Sequence, residues 1–385
     1  MRTELSSRER VLLAINHREP DRVPVVLGAD GGTTSMLAPA YDNLKRHLGI
    51  VSATRLLNRA FQYVEVDEEV MAYFQADVRP LFGPASSRFA AVDGPGDEFT
   101  DYWGITWQRS PGDIYYHMAR QPLKAARTPE DIEAYPWPNA EELLDLDGLE
   151  EKARWMSRES PYAILGFHAG PSSLFEQSWY LRGLPEMMVD LATNLPMVHA
   201  LLRKMTDLAK ACAALYLGEV GQYIHIFQAG DDLGIQTGLL VSPTMFRAII
   251  KPYLAEYYAL IHNLTDAKLM MHSCGGVAPI IEDLIEIGVD ILNPVQVSAA
   301  GMDPALLKAR FGDRLCFCGG IDTQHILPHG SPAEVKEEVR RRIQQMAPGG
   351  GYLLAAVHAI QADVPPQNVC AMFEAAARYG RYPVA

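Results

Sequence analysis

The feature that most constrains this chain is a recurring unit, a short apolar run followed by a stretch with helical spacing. Eight runs read as strands, over 23–28, 76–80, 162–167, 223–228, 268–272, 289–293, 315–320 and 351–356. Parallel strands need long crossovers, and helices between successive strands supply them. The units are most regular from Tyr223 onward and predict an α/β fold, a (β/α)8 TIM barrel. Two additions are expected. An N-terminal helical extension over 6–17 has Ser6 placed to cap and Val11, Leu12 and Ile15 on one face. At about 97–120, aromatic runs flank Ser110-Pro111-Gly112-Asp113 and predict a β-hairpin insertion over one end of the fold. Its aromatics read either as hairpin packing or as a ligand shelf. An amphipathic, acidic helix is expected over 140–156, and Pro252 is expected to kink or restart the helix opened by Ser242-Pro243.

The 385 residues are 48% hydrophobic, enough for one large core, so 1–385 is expected to be a single barrel domain. The net charge of −13 argues against nucleic acid as a partner. No apolar run reaches the roughly 18 residues of a membrane span, and the N-terminal stretch lacks a leader's apolar segment. The expected location is therefore cytoplasmic, with a homodimer as the default assembly. Five cysteines, an odd number, fit reduced thiols better than a disulfide framework. Neither a glycine-rich dinucleotide fingerprint nor a phosphate loop is present.

In such barrels the active site is built from loops at the carboxyl ends of the strands. The strand over 268–272 ends in His272-Ser273-Cys274-Gly275-Gly276. Side chains alternate along a strand, so His272 and Cys274 point the same way. His358, in the turn after the last strand, is the expected third ligand. Three nitrogen and sulfur donors with one open position is the pattern of a catalytic zinc. Asp231 and Asp232 are the candidate catalytic carboxylates: either completes a zinc shell or orients a histidine, or it bonds loop amides instead. Asp30 and Gln296 are candidate substrate contacts, and Asp77, His168, Asn293 and Asp322 are expected at the same end. Cys316 and Cys318 form a second i, i+2 pair that faces one way, inward or toward the helices. Cys212 reads as core.

These residues resemble the uroporphyrinogen decarboxylase superfamily, and within it the cobalamin-dependent methyltransferase branch. The resemblance begins at Arg8-Glu9-Arg10-Val11 and Pro20-Asp21-Arg22-Val23-Pro24. It continues through Ser242-Pro243, Phe246, Lys251 and Pro252. Its most specific part runs from His272-Ser273-Cys274-Gly275 to Val357-His358-Ala359-Ile360 and Pro365-Pro366-Gln367-Asn368. It implies a (β/α)8 barrel. Decarboxylases of that family grip substrate propionates with an arginine-bearing loop after the first strand. Here the loop is Leu27-Gly28-Ala29-Asp30-Gly31-Gly32-Thr33-Thr34, with no arginine, which argues against a polyanionic porphyrinogen. The thiol-alkylating branch binds zinc through His-x-Cys and a later cysteine, where this chain has His358. The resemblance therefore implies a zinc-dependent methyltransferase. It would move a methyl group between a small O- or S-methyl substrate and a corrinoid (methylcobamide) carried by a separate corrinoid protein. Two alternatives stand beside it: a metal-independent decarboxylase or lyase of a small acid with His358 as acid or base, and a non-catalytic tetrapyrrole-binding protein.

Overall fold

The computed structural model describes residues 4–384, so the outermost ends of the expected 1–385 unit and the start of the stretch read for a leader lie outside it. Seven parallel strands follow one another in chain order around a curled sheet. They are β1 (Val78–Gly83), β2 (Ala163–His168), β3 (Ile226–Gly230), β4 (Lys268–His272), β5 (Ile291–Val295), β6 (Cys316–Ile321) and β7 (Tyr352–Ala356). The run over 23–28, expected as a further strand, pairs only through the isolated parallel bridge of Val25 with Leu354, and Pro24 has no N–H with which to extend it. It still closes the ring. The Val26 amide donates to the Leu354 carbonyl (2.9 Å), Leu354 donates to Pro24 (2.9 Å), and Asp77 donates to Val25 (2.8 Å). The result is the expected TIM barrel, with an irregular arm in one of its eight places.

The strands divide two cores by alternation. Val78, Leu165, Ile226, Met270, Ile291, Cys316, Cys318 and Leu353 fill the barrel interior. Their neighbours Phe227, Leu269, Met271, Leu292 and Phe317 face the helices. Helix α1 (Ser7–Ile15) opens with a capping box between Ser6 and Glu9, as the sequence suggests. It brings Val11, Ala14 and Ile15 to the interior cluster and plugs its foot. Val11 and Ile15 each contribute about 1.5–3 kcal/mol on burial.

Asp77 is a correction. The strand starts one residue after it, so Asp77 lies at the foot of β1 and not at the carboxyl-end rim. It is fully buried and accepts from Ser7 Oγ (2.8 Å), Arg10 Nη1 (2.7 Å), Arg22 Nη1 (2.8 Å) and the Val25 amide (2.8 Å). That cluster pins the arm and α1 to the sheet. The helix expected over 140–156 is also corrected. It breaks into Ala140–Leu143 and Leu149–Glu159, because Gly148 takes a left-handed φ of 71° between them. Ahead of Pro252 a π-turn over Phe246–Ile250 leads into the helix Lys251–Leu264, the kind of adjustment a missing N–H invites.

The insertion is larger than one hairpin. It is a four-stranded antiparallel meander of Val92–Asp93, Glu98–Thr100, Thr106–Gln108 and His117–Arg120, with Pro111-Gly112 turning between the last two. Phe99 packs on Tyr116 (centroids 5.0 Å) and Trp107 (6.4 Å), which is the packing role expected of these aromatics. The Tyr102 hydroxyl donates to the Ala169 carbonyl (2.6 Å) and that of Tyr115 to Gln361, tying the insertion to loops after β2 and β7. Among the described residues, no helix is long and apolar enough to cross a membrane.

Candidate metal centre

His272 is the last residue of β4 and Cys274 lies in the loop that follows. That loop presses against the loop after β3, which Gly275 permits. Its φ is 86°, and a Cβ there would sit 2.3 Å from the carbonyl carbon of Gly234. The Ser273 amide donates to the Asn293 carbonyl (2.7 Å), and the Ser273 hydroxyl accepts from the Leu233 amide (3.1 Å). Two neighbouring strand ends therefore fix the direction in which His272 and Cys274 project.

His272 Nδ1 donates to the Asn293 side-chain oxygen (2.7 Å), which leaves the Nε2 lone pair free. Cys274 Sγ lies 3.4 Å from that Nε2. The His358 ring arrives from the turn after β7, with its centroid 5.8 Å from that of His272. One donor atom from each of His272, Cys274 and His358 lies within 4.8 Å of the others. Around tetrahedral zinc, with bonds of about 2.0–2.3 Å, donors sit roughly 3.3–3.7 Å apart. The histidine–cysteine edge is already at that spacing, and the His358 edges lie within 4.8 Å.

Electrostatics agree with the geometry. Burial, and then the charges of Asp232 and Glu176, push the Cys274 thiol far above its usual range. Burial, aided by His272, lowers His358 to about 4, so its imidazole is neutral. A protonated thiol beside two imidazoles and two carboxylates is an environment that a cation reverses, since a metal-bound thiol gives up its proton.

The paired carboxylates separate. Asp231 turns both oxygens to the amides of Leu174 (3.1 Å), Phe175 (2.8 Å) and Glu176 (2.6 Å), at the start of the helix Phe175–Arg182, and burial raises it to about 7. Asp232 accepts from the Cys274 amide (2.8 Å) and lies 3.8 Å from His272 Nε2, against the donor set. Gln296 accepts from the Gly275 amide (2.7 Å) and donates to Gln236 (2.9 Å), so it braces the ligand loop. Asp30 folds its own loop, accepting from Gly32 (3.0 Å), Thr34 (2.9 Å) and the Thr33 hydroxyl (2.6 Å). In this structure the polar atoms of Asp30 and Gln296 are engaged by protein groups. Asp322 caps its own turn through Gln324 (2.7 Å) and pairs with His325 (3.0 Å), while His168 is buried with neither ring nitrogen partnered. Cys316 and Cys318 face inward, deep in the barrel.

The sequence reading missed three contributors. Glu176 is surrounded by this site, and burial with the charges of Asp232 and Asp231 holds its carboxyl well above the usual range. Tyr180 donates to Glu176 Oε1 (2.8 Å). Tyr63 lays its ring 6.0 Å from that of His358. An acidic residue in the first turn of the helix that follows a barrel strand was the available signal for Glu176. Tyr63, in a short peripheral strand, carried none.

Comparisons with known proteins agree with this architecture. A uroporphyrinogen decarboxylase of Alkalilimnicola ehrlichii is 24% identical over 95% of this chain and 93% of its own length. One from Chromohalobacter salexigens is 24% identical over 95% and 96%. A methyltransferase from Methanosarcina mazei shares the fold, with a TM-score of 0.67, 16% identity, and coverage of 98% of this chain and 99% of its own. The family model described as Uroporphyrinogen decarboxylase (URO-D) matches residues 114–379, a span that holds all three metal-donor candidates. The chain belongs to the uroporphyrinogen decarboxylase family.

Proposed function

We propose that this protein is a zinc-dependent methyltransferase moving a methyl group between a small O- or S-methyl substrate and a corrinoid carried by a separate protein. The observation that carries the reading is the convergence of His272, Cys274 and His358 from loops far apart in the chain. The fold shared with a Methanosarcina mazei methyltransferase supports it. Zinc held by those three residues supplies a Lewis acid for the oxygen or sulfur that gains or loses the methyl group. The remaining work belongs to the protein. Asn293 fixes the His272 tautomer, Asp232 orients the Cys274 backbone, and Gln296 holds the Gly275 turn in place. Asp232 and Glu176 give the site acidic character, and among the described residues no lysine or arginine is paired with either of them. That setting disfavours a polyanionic substrate and is the physical argument against porphyrinogen decarboxylation.

The test is metal analysis of the purified protein together with methyl transfer to a corrinoid protein. We expect one zinc per chain, and loss of both zinc and transfer in His272→Ala/Cys274→Ala. A wild type that decarboxylates a small acid with no metal bound, and is indifferent to chelator, moves the assignment to a metal-independent lyase, and one that transfers methyl without metal removes zinc from the reading.

A further inference from the structure

Tyr63 begins the short outlying strand Tyr63–Glu65, which pairs antiparallel with Arg55–Asn58. Two features hold its ring against the metal centre. Gln62, just before it, has a left-handed φ of 57°, which a residue with a side chain adopts only where its surroundings impose it. Gly32 faces the ring from the Asp30 loop. A Cβ there would sit 2.2 Å from Tyr63 Cδ2, so the ring lies where only glycine leaves room. Held in this way, the ring meets that of His358 at 6.0 Å, tilted by 60°, and stacks on Phe61 at 5.5 Å.

Packing accounts for the ring but not for its hydroxyl. A phenylalanine would fill the same space between Gly32, Phe61 and His358. Tyr63 is half-buried, and among the described residues its hydroxyl has no hydrogen-bond partner. A hydroxyl drawn out of water without a partner costs free energy that a bound group recovers by accepting from it. This one lies within electrostatic reach of Cys274, Glu176 and Asp30, which come from the segments after β4, after β2 and after the arm. It therefore faces the space those segments enclose, where three candidate donors leave one position open. Burial, and then the charges of Tyr115, Cys274, Glu176 and Asp30, hold its phenol well above the usual range, so it meets that space as a donor. A hydrogen bond from a hydroxyl to an anionic oxygen is short and strong, whereas sulfur accepts weakly.

We propose that Tyr63 is a substrate-contacting residue whose hydroxyl donates to the oxygen of an O-methyl substrate, and that it selects oxygen over sulfur at that position. The assignment rests on the proposed function and narrows its substrate to an O-methyl compound. As the methyl leaves, the C–O bond breaks and its electron pair stays on the oxygen, while the methyl carbon passes to the electron pair of the reduced corrinoid. Tyr63 keeps its own proton and steadies the anionic oxygen through the hydrogen bond.

The experiment uses the full chain loaded with cobalt(II) in place of zinc and follows its visible absorption bands. Wild type and Tyr63→Phe are each titrated with 2,2,2-trifluoroethanol and with 2,2,2-trifluoroethanethiol, a pair that differs only in the oxygen or sulfur atom. Tyr63→Phe is expected to bind the alcohol about tenfold more weakly and the thiol within about twofold of the wild type. Its cobalt affinity and unfolding midpoint are expected to match those of the wild type, which traces the loss to the hydroxyl and not to the fold. The assignment of Tyr63 alone is overturned if the metal-loaded wild type gives no saturable response to the alcohol, if Tyr63→Phe binds the alcohol unchanged, or if it loses the thiol as much as the alcohol. A wild type that takes up neither zinc nor cobalt overturns the proposed function together with this assignment.

Discussion

Two strands of the barrel carry the same kind of pair and use it differently. His272 and Cys274, at the end of β4 and just beyond it, and Cys316 and Cys318, on β6, are each two residues apart. His272 ends its strand, and Cys274 lies beyond it, against the rim. Cys316 begins its strand, and both β6 thiols belong to the sealed interior with Met270 and Leu353. The sheet register sets the heights. Met270 pairs with Ile291 and Ile291 with Cys316, while His272 pairs with Asn293 one step higher on the same face. Two residues of strand amount to about 6.6 Å. That rise separates Cys316 from Cys318, which by the same register lies level with Asn293 and His272 and beside Asn293, so it is enclosure in the interior cluster that sets Cys318 apart from Cys274. The spacing of a motif therefore says which side chains share a face, and their access to the rim decides whether they can reach the candidate donor set.

The largest effect that breaks or keeps this comparison is on metal affinity. Cys274→Ala is expected to weaken zinc binding by more than about a hundredfold, since losing a ligand should exceed the usual 10–100-fold cost of losing a ligand's supporting partner. Cys318→Ala is expected to leave zinc affinity unchanged. Competition against a fluorescent chelator measures both, and equal losses in the two variants would remove the distinction between rim and interior. Asn293→Ala comes next. It keeps all three donors but frees the His272 ring, so a loss of about 10–100-fold is expected in the same competition. An unchanged affinity would show that the Asn293 contact does not orient the ligand.

The same contrast explains what could be read from the sequence. Strands β4 to β7 lie within two residues of their expected positions, because runs buried on both faces are uniformly apolar and leave little room for register error. The arm over 23–28 read as one of them but holds a proline, and closure through three backbone bonds has no sequence signature. His272 and Cys274 were legible because strand alternation is local. Asp231 and Asp232 were legible as a pair but not in their separate roles, since the amides that take up Asp231 come from a helix more than 50 residues earlier. Glu176 and Tyr63 belong to that same class. They reach the site from a helix and an outlying strand, and only tertiary packing brings them there.

The smallest effect expected concerns thiol reactivity, and it separates the two pairs by pH. A thiolate, not a thiol, attacks an alkylating agent. Burial and two nearby carboxylates hold Cys274 protonated far above the usual thiol range, and burial, opposed by an Asn293 hydrogen bond and aided by the Asp30 charge, raises Cys318 to about 12. Both sites are raised, so the thiolate fraction of each grows as pH rises and is suppressed as it falls. Access differs: Cys274 is only part-buried, whereas Cys318 is sealed. In metal-free protein carrying Cys370→Ser to silence the part-exposed thiol of the final helix, iodoacetamide should modify Cys274 slowly. Its rate should rise about tenfold per pH unit between about pH 8 and pH 10. Cys316 and Cys318 should react only at the rate of global unfolding, whatever the pH. Zinc should abolish the Cys274 reaction and leave the interior pair untouched. Peptide mapping by mass spectrometry reads each site separately. A Cys274 rate that is flat with pH, or interior thiols that label at a comparable rate in the folded protein, would mean that access at the rim does not govern the chemistry of these two pairs.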